Sequence, residues 1–285
     1  MLAVVGTVPY PDFPLTVGRV DMVEDKLVLN GLHVPVNRGT PALLGAMINT
    51  LKVVGQKDIT GFIAGDIGLG DGSRNIYQYI VENCSGMDLK TIVFHYLQPD
   101  VDWHNKILFV LKDLAVKPIM IADAGFMYAA KMSGQAEEYD LFTPDVGELA
   151  FLADETAPHP FYTRGFILHE DNKIPDLISR AYLHKNAAKN LLVKGSTDFV
   201  ADKNGIVSSL NSPEAQAMEA MGGTGDTLTG IVTALIGTGM KIPKAAAIAS
   251  TVNRLAGVYA APTPATQVLE IIQQIPAALE KVLKE

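Results

Sequence analysis

The amino-acid sequence predicts an α/β fold built on a mostly parallel sheet, and two observations carry that prediction. Short apolar runs alternate with stretches of helical periodicity along most of the chain, the pattern of successive βαβ units. The 285 residues fit one large α/β core, so a single domain over 1–285 is expected rather than two equal lobes. The 23 Lys and Arg against 31 Asp and Glu leave a formal charge of −8, with 48% of residues hydrophobic. That acidic balance lacks the basic surface on which phosphate-backbone binding depends, so nucleic acid is not expected as a partner.

The elements follow in order. The run at 2–5 has no basic segment before it and reads as a first strand rather than a signal peptide. Residues 17–36 alternate apolar and polar, with turn signals at Glu24-Asp25 and Asn30-Gly31, and predict antiparallel hairpins forming a small accessory β segment. Further strands are predicted at 59–64, 91–94, 119–122, 141–142 and 191–193. Helices are predicted at 73–83 and 103–114, where Ile107, Leu108, Leu111 and Leu114 share a face. Residues 154–166 hold two prolines and no periodicity, which predicts an irregular loop. The Ala-rich run 245–249 reads as a close-packed helix, and 271–283, with Pro276 inside, as a kinked C-terminal helix.

Cys84 is the only cysteine, which excludes an intramolecular disulfide or a multi-thiol zinc site and favours a reducing cytoplasm. No window reaches the ~18 apolar residues of a membrane span, so a membrane is not expected as a partner. The histidines show no i, i+4 pair, and Trp103 with His104 reads as packing.

Chemistry concentrates in three strings. Gly222-Gly223-Thr224-Gly225-Asp226 runs straight into Leu228, Ile231, Val232, Leu235 and Ile236, apolar positions at helical spacing. Free N–H groups and the positive end of the helix dipole would converge there on an anion, with Asp226 beside it. The alternative for Asp226 is a plain helix N-cap. Lys194 and Gly195 stand at the end of an apolar strand, with Ser196, Thr197 and Asp198 in the turn, where ligands of open α/β sheets collect. Asp145 and Glu148 share a helical face at i, i+3; they suit a hydrated Mg²⁺ or a capping box, and both roles can coexist. The P-loop, dinucleotide, HExxH and GxSxG patterns are absent.

KGSTDFVADKNGIV and MGGTGDTLTGIVTALIGTGMKIPKAAAIASTVNRLAG resemble the ribokinase-like superfamily, and within it most closely the ADP/ATP-dependent NAD(P)H-hydrate dehydratases. IADAG at 121–125 and TPDVGEL at 143–149 are similar to further family segments. The resemblance covers about 186–261 strongly and 118–152 more weakly. It implies a three-layer α/β/α fold, with nucleotide and small-molecule substrate meeting at the carboxyl edge of the sheet. It implies Asp226 as catalytic base and Gly223, Thr224 and Gly225 as anion hole. Lys194, Gly195, Ser196, Thr197, Asp198 and Gly225 match the nucleotide segment, for ADP or ATP. Glu148 matches the acid associated with Mg²⁺, held through water. Thr40, Gly70, Asp123, Asp145 and Asp226 fall at substrate-side positions. Asp145 departs from the family, whose dehydratases carry His there and many of whose kinases carry Asn; a carboxylate beside phosphates needs a metal or a proton to neutralise it. The expected activity is repair of hydrated NAD(P)H. The alternatives are an ATP-dependent kinase of a sugar or small alcohol and a non-catalytic nucleotide sensor. The superfamily leaves a homo-oligomer open.

Overall fold

The computed structural model describes residues 1–56, 58–154, 174–263 and 265–284. The chain opens with β1 (Leu2–Val8), whose seven residues are all buried. Strands covered on both faces read as continuous apolar runs, and β1 accordingly lies inside the sheet. There follow β2 (Thr16–Val23), β3 (Lys26–Leu29), β4 (Leu32–Pro35), α1 (Thr40–Val54), β5 (Ile59–Gly65), α2 (Asp71–Asn83), β6 (Thr91–His95) and α3 (Val101–Lys112). The middle of the chain adds β7 (Ile119–Ala122), α4 (Ala124–Met132), β8 (Leu141–Phe142), α5 (Val146–Ala153) and α6 (Ile174–Leu183). Then come β9 (Asn190–Val193), β10 (Asp198–Asp202), β11 (Gly205–Leu210), α7 (Thr224–Gly237), α8 (Ile242–Ala260), α9 (Val268–Ile272) and α10 (Ile275–Val282).

Among the described residues the strands form one sheet in the order β11-β10-β9-β8-β7-β6-β1-β5-β2-β3-β4. The run from β5 through β1, β6, β7 and β8 to β9 is parallel. Antiparallel strands extend it at both ends: β10 and β11 beyond β9, and β2, β3 and β4 beyond β5. The hairpins expected at 17–36 are this second extension. The expected loop at 154–166 lies, from residue 155 on, outside the described residues.

Alternate side chains of each central strand feed two apolar layers. Val4, Val93, Ile121 and Leu192 pack with α1, α7, α8, α9 and α10. Ala3, Val5, Ile92, Phe94, Met120 and Val193 pack with α2, α3, α4, α5 and α6. This period-2 division between two helical layers is the three-layer arrangement that the βαβ rhythm implies. The C-terminal segment corrects one expectation. It is two helices broken at Gln273 and Gln274, and Pro276 sits in the first turn of α10, where a missing N–H costs nothing.

A close contact between α1 and α7 positions the glycine loop. At Gly230 in α7, a Cβ would lie 2.4 Å from the Leu43 carbonyl oxygen of α1. Only glycine admits that approach. Gly230→Ala is therefore expected to push α1 and α7 apart and to destabilise the protein by about 1–3 kcal/mol, read as a lower midpoint in urea unfolding.

Candidate active site

Because β6, β7, β8 and β9 run parallel, their carboxyl ends deliver His95, Asp123, Asp145 and Lys194 to one edge of the sheet. The loop before α7 reaches the same edge. Its N-cap is Gly223, with φ 105, which needs glycine. Asp226 is thus inside the first turn and is not the cap, and its carboxylate is free for other partners. The N–H groups of Thr224, Gly225 and Asp226 have no carbonyl one turn back, so they point out of the helix with the dipole behind them.

Asp226 is buried and doubly held. Its Oδ2 accepts from the Gly39 N–H at 2.5 Å, and its Oδ1 lies 3.2 Å from His95 Nε2. His95 Nδ1 in turn meets the Thr40 hydroxyl at 3.1 Å. Burial raises the Asp226 pKa, but the hydrogen bond and charge of His95, helped by Lys194 and the Gly39 N–H, hold it below the ordinary carboxylate value. The group therefore stays ionised as an acceptor. A lowered carboxyl contributes stability above its unfolded value of 3.8 and loses it only as pH falls through the depressed value. Removing His95 raises that value. His95→Leu is expected to move the acidic limb of the pH–activity profile upward by about one unit, and His95→Gln, which keeps a polar side chain beside Asp226, to move it less.

Lys194 and Asp123 form a second unit. Lys194 Nζ lies 2.9 and 3.1 Å from the two Asp123 oxygens, with both side chains nearly closed off from solvent. Asp123 also accepts from the Thr229 hydroxyl at 2.7 Å and from the Ala124 N–H at 2.8 Å, and its Oδ2 lies 3.7 Å from His95 Nε2. Burial pulls the Lys194 pKa down, but Asp123 and Glu148 outweigh it and hold it above the usual lysine value. The stem of Lys194 runs along Gly225, where an added Cβ would sit 3.6 Å away. Lys194 thus stands between the start of α7 and the acids.

Asp145 and Glu148 make the full capping box of α5. Asp145 Oδ1 accepts from the Glu148 N–H at 2.7 Å, and Glu148 Oε2 accepts from the Asp145 N–H at 2.8 Å. Glu148 Oε1 accepts from the Tyr128 hydroxyl at 3.1 Å. Burial first, then Asp123 and Asp145, push the Glu148 pKa up to about 8. Four carboxyl groups, those of Asp123, Asp145, Glu148 and Asp226, thus face the same cavity as Lys194. A hydrated divalent cation suits such hard oxygens; among the described residues no three acids, histidines or cysteines converge closely enough to hold a metal directly.

Two cavities meet at this edge. The first, about 520 Å³, is lined by Asp123, Asp145, Glu148, Lys194, Gly195, Ser196, Asp198, Gly223, Thr224, Gly225 and Asp226. The second, about 870 Å³, is lined by Arg38, Gly39, Thr40, Asp66, Gly68 and Tyr96 among others. Asp226 stands at the junction, facing the first cavity and bonded to Gly39 of the second.

The structure thus gathers most of the expected site residues. Thr197 and Gly70 are the exceptions, since neither lines a cavity. Gly70 starts α2 with φ 86, its N–H bonded to Asp66 Oδ1 at 3.0 Å; Asp66 and Gly68 line the wall instead. Asp198 is largely committed to structure. It accepts from Arg254 Nε at 2.9 Å and from the Gly195 N–H at 3.1 Å, while Arg254 also donates to the Gly195 and Ser196 carbonyls. Arg254, His95, Gly39 and Tyr96 were not singled out in the sequence. His95 and Tyr96 had one usable signal, their position at the end of an apolar strand.

Comparison with known proteins bears on the family and the fold. The family model described as NAD(P)H-hydrate dehydratase matches residues 98–277. An uncharacterized protein of Methanocaldococcus jannaschii is 43% identical over 243 residues, 85% of this chain and 100% of its own. The ADP-dependent (S)-NAD(P)H-hydrate dehydratase of Cenarchaeum symbiosum is 28% identical over 177 residues, 61% of this chain; the match spans 54% of that relative's length. Pyridoxal kinase of Bacillus subtilis, solved as an ADP complex, shares the fold with a TM-score of 0.52 at 15% identity, covering 88% of this chain and 89% of that one. The chain belongs to the NAD(P)H-hydrate dehydratase family and has the ribokinase-like fold.

Proposed function

We propose that the protein repairs hydrated NAD(P)H, using ADP or ATP as phosphoryl donor. The observation that carries this reading is the position of Asp226, an ionised carboxylate at the junction of two cavities. It has helix N–H donors on one side and the Gly39 N–H on the other. The first cavity takes the nucleotide, its phosphates directed at the N–H groups of Thr224 and Gly225 and at Lys194. The second takes the substrate.

Hydroxide leaves a hydrated nicotinamide ring poorly, so the hydroxyl is phosphorylated first. Asp226 orients that hydroxyl and accepts its proton as the new P–O bond forms. The start of α7 stabilises the charge on the transferred group. Phosphate then departs, pushed by the ring nitrogen, and loss of a ring proton restores the double bond. Asp145 and Glu148 are the residues that would hold Mg²⁺ through water, and a bound ion would neutralise phosphate charge. Such an ion would also offset the negative charge that Asp145 brings beside the phosphates.

The test is direct. NADH hydrate, ADP or ATP and Mg²⁺ are incubated with the protein, and the nicotinamide absorbance is followed. Recovery with release of inorganic phosphate is expected. A stable phosphoester of a sugar or alcohol, without recovery of absorbance, would instead make the protein a kinase.

A further inference from the structure

Six non-glycine residues in the described chain have positive φ: Glu24, Asn30, Tyr96, Ala124, Lys185 and Ala261. Of these, Tyr96 and Ala124 alone line either cavity, and each lines both. A bulky residue rarely adopts this conformation, which costs on the order of 1–3 kcal/mol and persists only where the surroundings enforce it. Here they do. The Thr7 hydroxyl donates to the Tyr96 carbonyl, and His95 beside it is held by Asp226 and Thr40. Gly125 lies so close to the next residue that a Cβ there would sit 2.0 Å from the Leu97 carbonyl oxygen. The strand end and the start of α4 are interlocked, and the backbone of Tyr96 has no room to relax.

What this strain achieves is an exposed aromatic ring beside Asp226. Tyr96 is 49% exposed, although β6 just before it is entirely buried. Its ring leans on His95, 4.7 Å between centroids. His95 is also the partner of Asp226, and Tyr96 and Asp226 line the same cavity. In the second cavity, Asp66 is satisfied internally, its oxygens accepting from the N–H groups of Gly68, Gly70 and Ser73 and from the Ser73 hydroxyl. Beside Arg38 and this internally bonded carboxylate, the wall also presents the exposed ring of Tyr96.

We propose that Tyr96 is a specificity-determining residue, the aromatic surface on which the partly unsaturated ring of the substrate lies so that its hydroxyl meets Asp226. This rests on the repair reading for the identity of the ring, but extends to any substrate whose hydroxyl is borne by such a ring. Stacking supplies affinity and orientation at once, which a sugar or an open polyol would not draw from the same face.

The experiment compares wild type with Tyr96→Phe, Tyr96→Leu and Tyr96→Gly in the full chain, with adenine nucleotide present. Kd is measured for NADH and for pyridoxal as ring probes, together with Tm. Tyr96→Leu and Tyr96→Gly are expected to weaken binding of the ring probe roughly tenfold, and Tyr96→Phe to leave it unchanged. Tyr96→Gly relieves the left-handed strain, so its Tm should match or exceed that of wild type while binding falls. A merely structural tyrosine would lower Tm and binding together, and that result overturns the proposal. So does wild-type affinity for the probes in Tyr96→Leu and Tyr96→Gly, or a wild type that binds neither probe. If wild type fails to restore NADH hydrate and does not bind NADH, yet binds pyridoxal in a Tyr96-dependent manner, the repair reading falls and the role of Tyr96 stands.

Discussion

Asp226→Asn is expected to lower turnover about 10³-fold while nucleotide binding and folding are retained. The substitution is isosteric. The amide oxygen can still accept from the Gly39 N–H, and the amide nitrogen can donate to His95 Nε2 in the tautomer that leaves that nitrogen without a proton. What is lost is the capacity to take a proton from the substrate hydroxyl, and no neighbour can substitute. Asp123 is occupied by Lys194, Thr229 and the Ala124 N–H. Glu148 is occupied by the Asp145 N–H and Tyr128, and burial favours its protonated form. Single-turnover kinetics with a parallel nucleotide titration separate the contributions. Undiminished turnover would exclude Asp226 as the base, and loss of nucleotide affinity with a lowered Tm would make it structural.

The residues that could be read from the sequence are those whose role is written locally. The glycine string and the apolar periodicity behind it are contiguous, and together they specify a loop feeding a buried helix. The same holds for Asp145 and Glu148, where a spacing of three defines the capping box without reference to the rest of the chain. His95 was not legible, because a histidine ending an apolar strand looks like any packed side chain. Its meaning comes from Asp226, 131 residues away, and Thr40, 55 residues away. Arg254 is similar: it sits in an Ala-rich helix as a long polar side chain of the sort usually solvated, and only the fold brings Asp198 to it. Asp198 consequently looked like a ligand contact when it largely supports the turn that carries Ser196. Tyr96 carries its signal in a backbone angle, and no side-chain pattern encodes that angle when the residue is not glycine.

Lys194 is where a local reading and the fold diverge most in consequence. Its position at a strand end suggests that removing the charge mainly weakens phosphate binding. In the folded chain the ammonium is already paired with Asp123 inside the protein, with side chains only 12% and 3% exposed. Lys194→Met would leave Asp123 with the Thr229 hydroxyl and the Ala124 N–H as its close partners and no adjacent lysine charge. Breaking a buried pair from one side costs about 3–5 kcal/mol. That is a large share of the roughly 5–15 kcal/mol by which domains are stable. Lys194→Met is therefore expected to lower Tm sharply even without nucleotide. Pairing it with Asp123→Asn should recover much of that loss, because the carboxylate that Lys194 pairs with directly is then neutral as well. Nucleotide affinity should stay low in the double variant, since the cation facing the start of α7 is still missing. A double-mutant cycle in urea, run beside nucleotide titrations, reads both roles. If Lys194→Met kept the wild-type midpoint and lost only nucleotide affinity, Lys194 would be a phosphate ligand alone, and the Asp123 pair would contribute nothing to the fold.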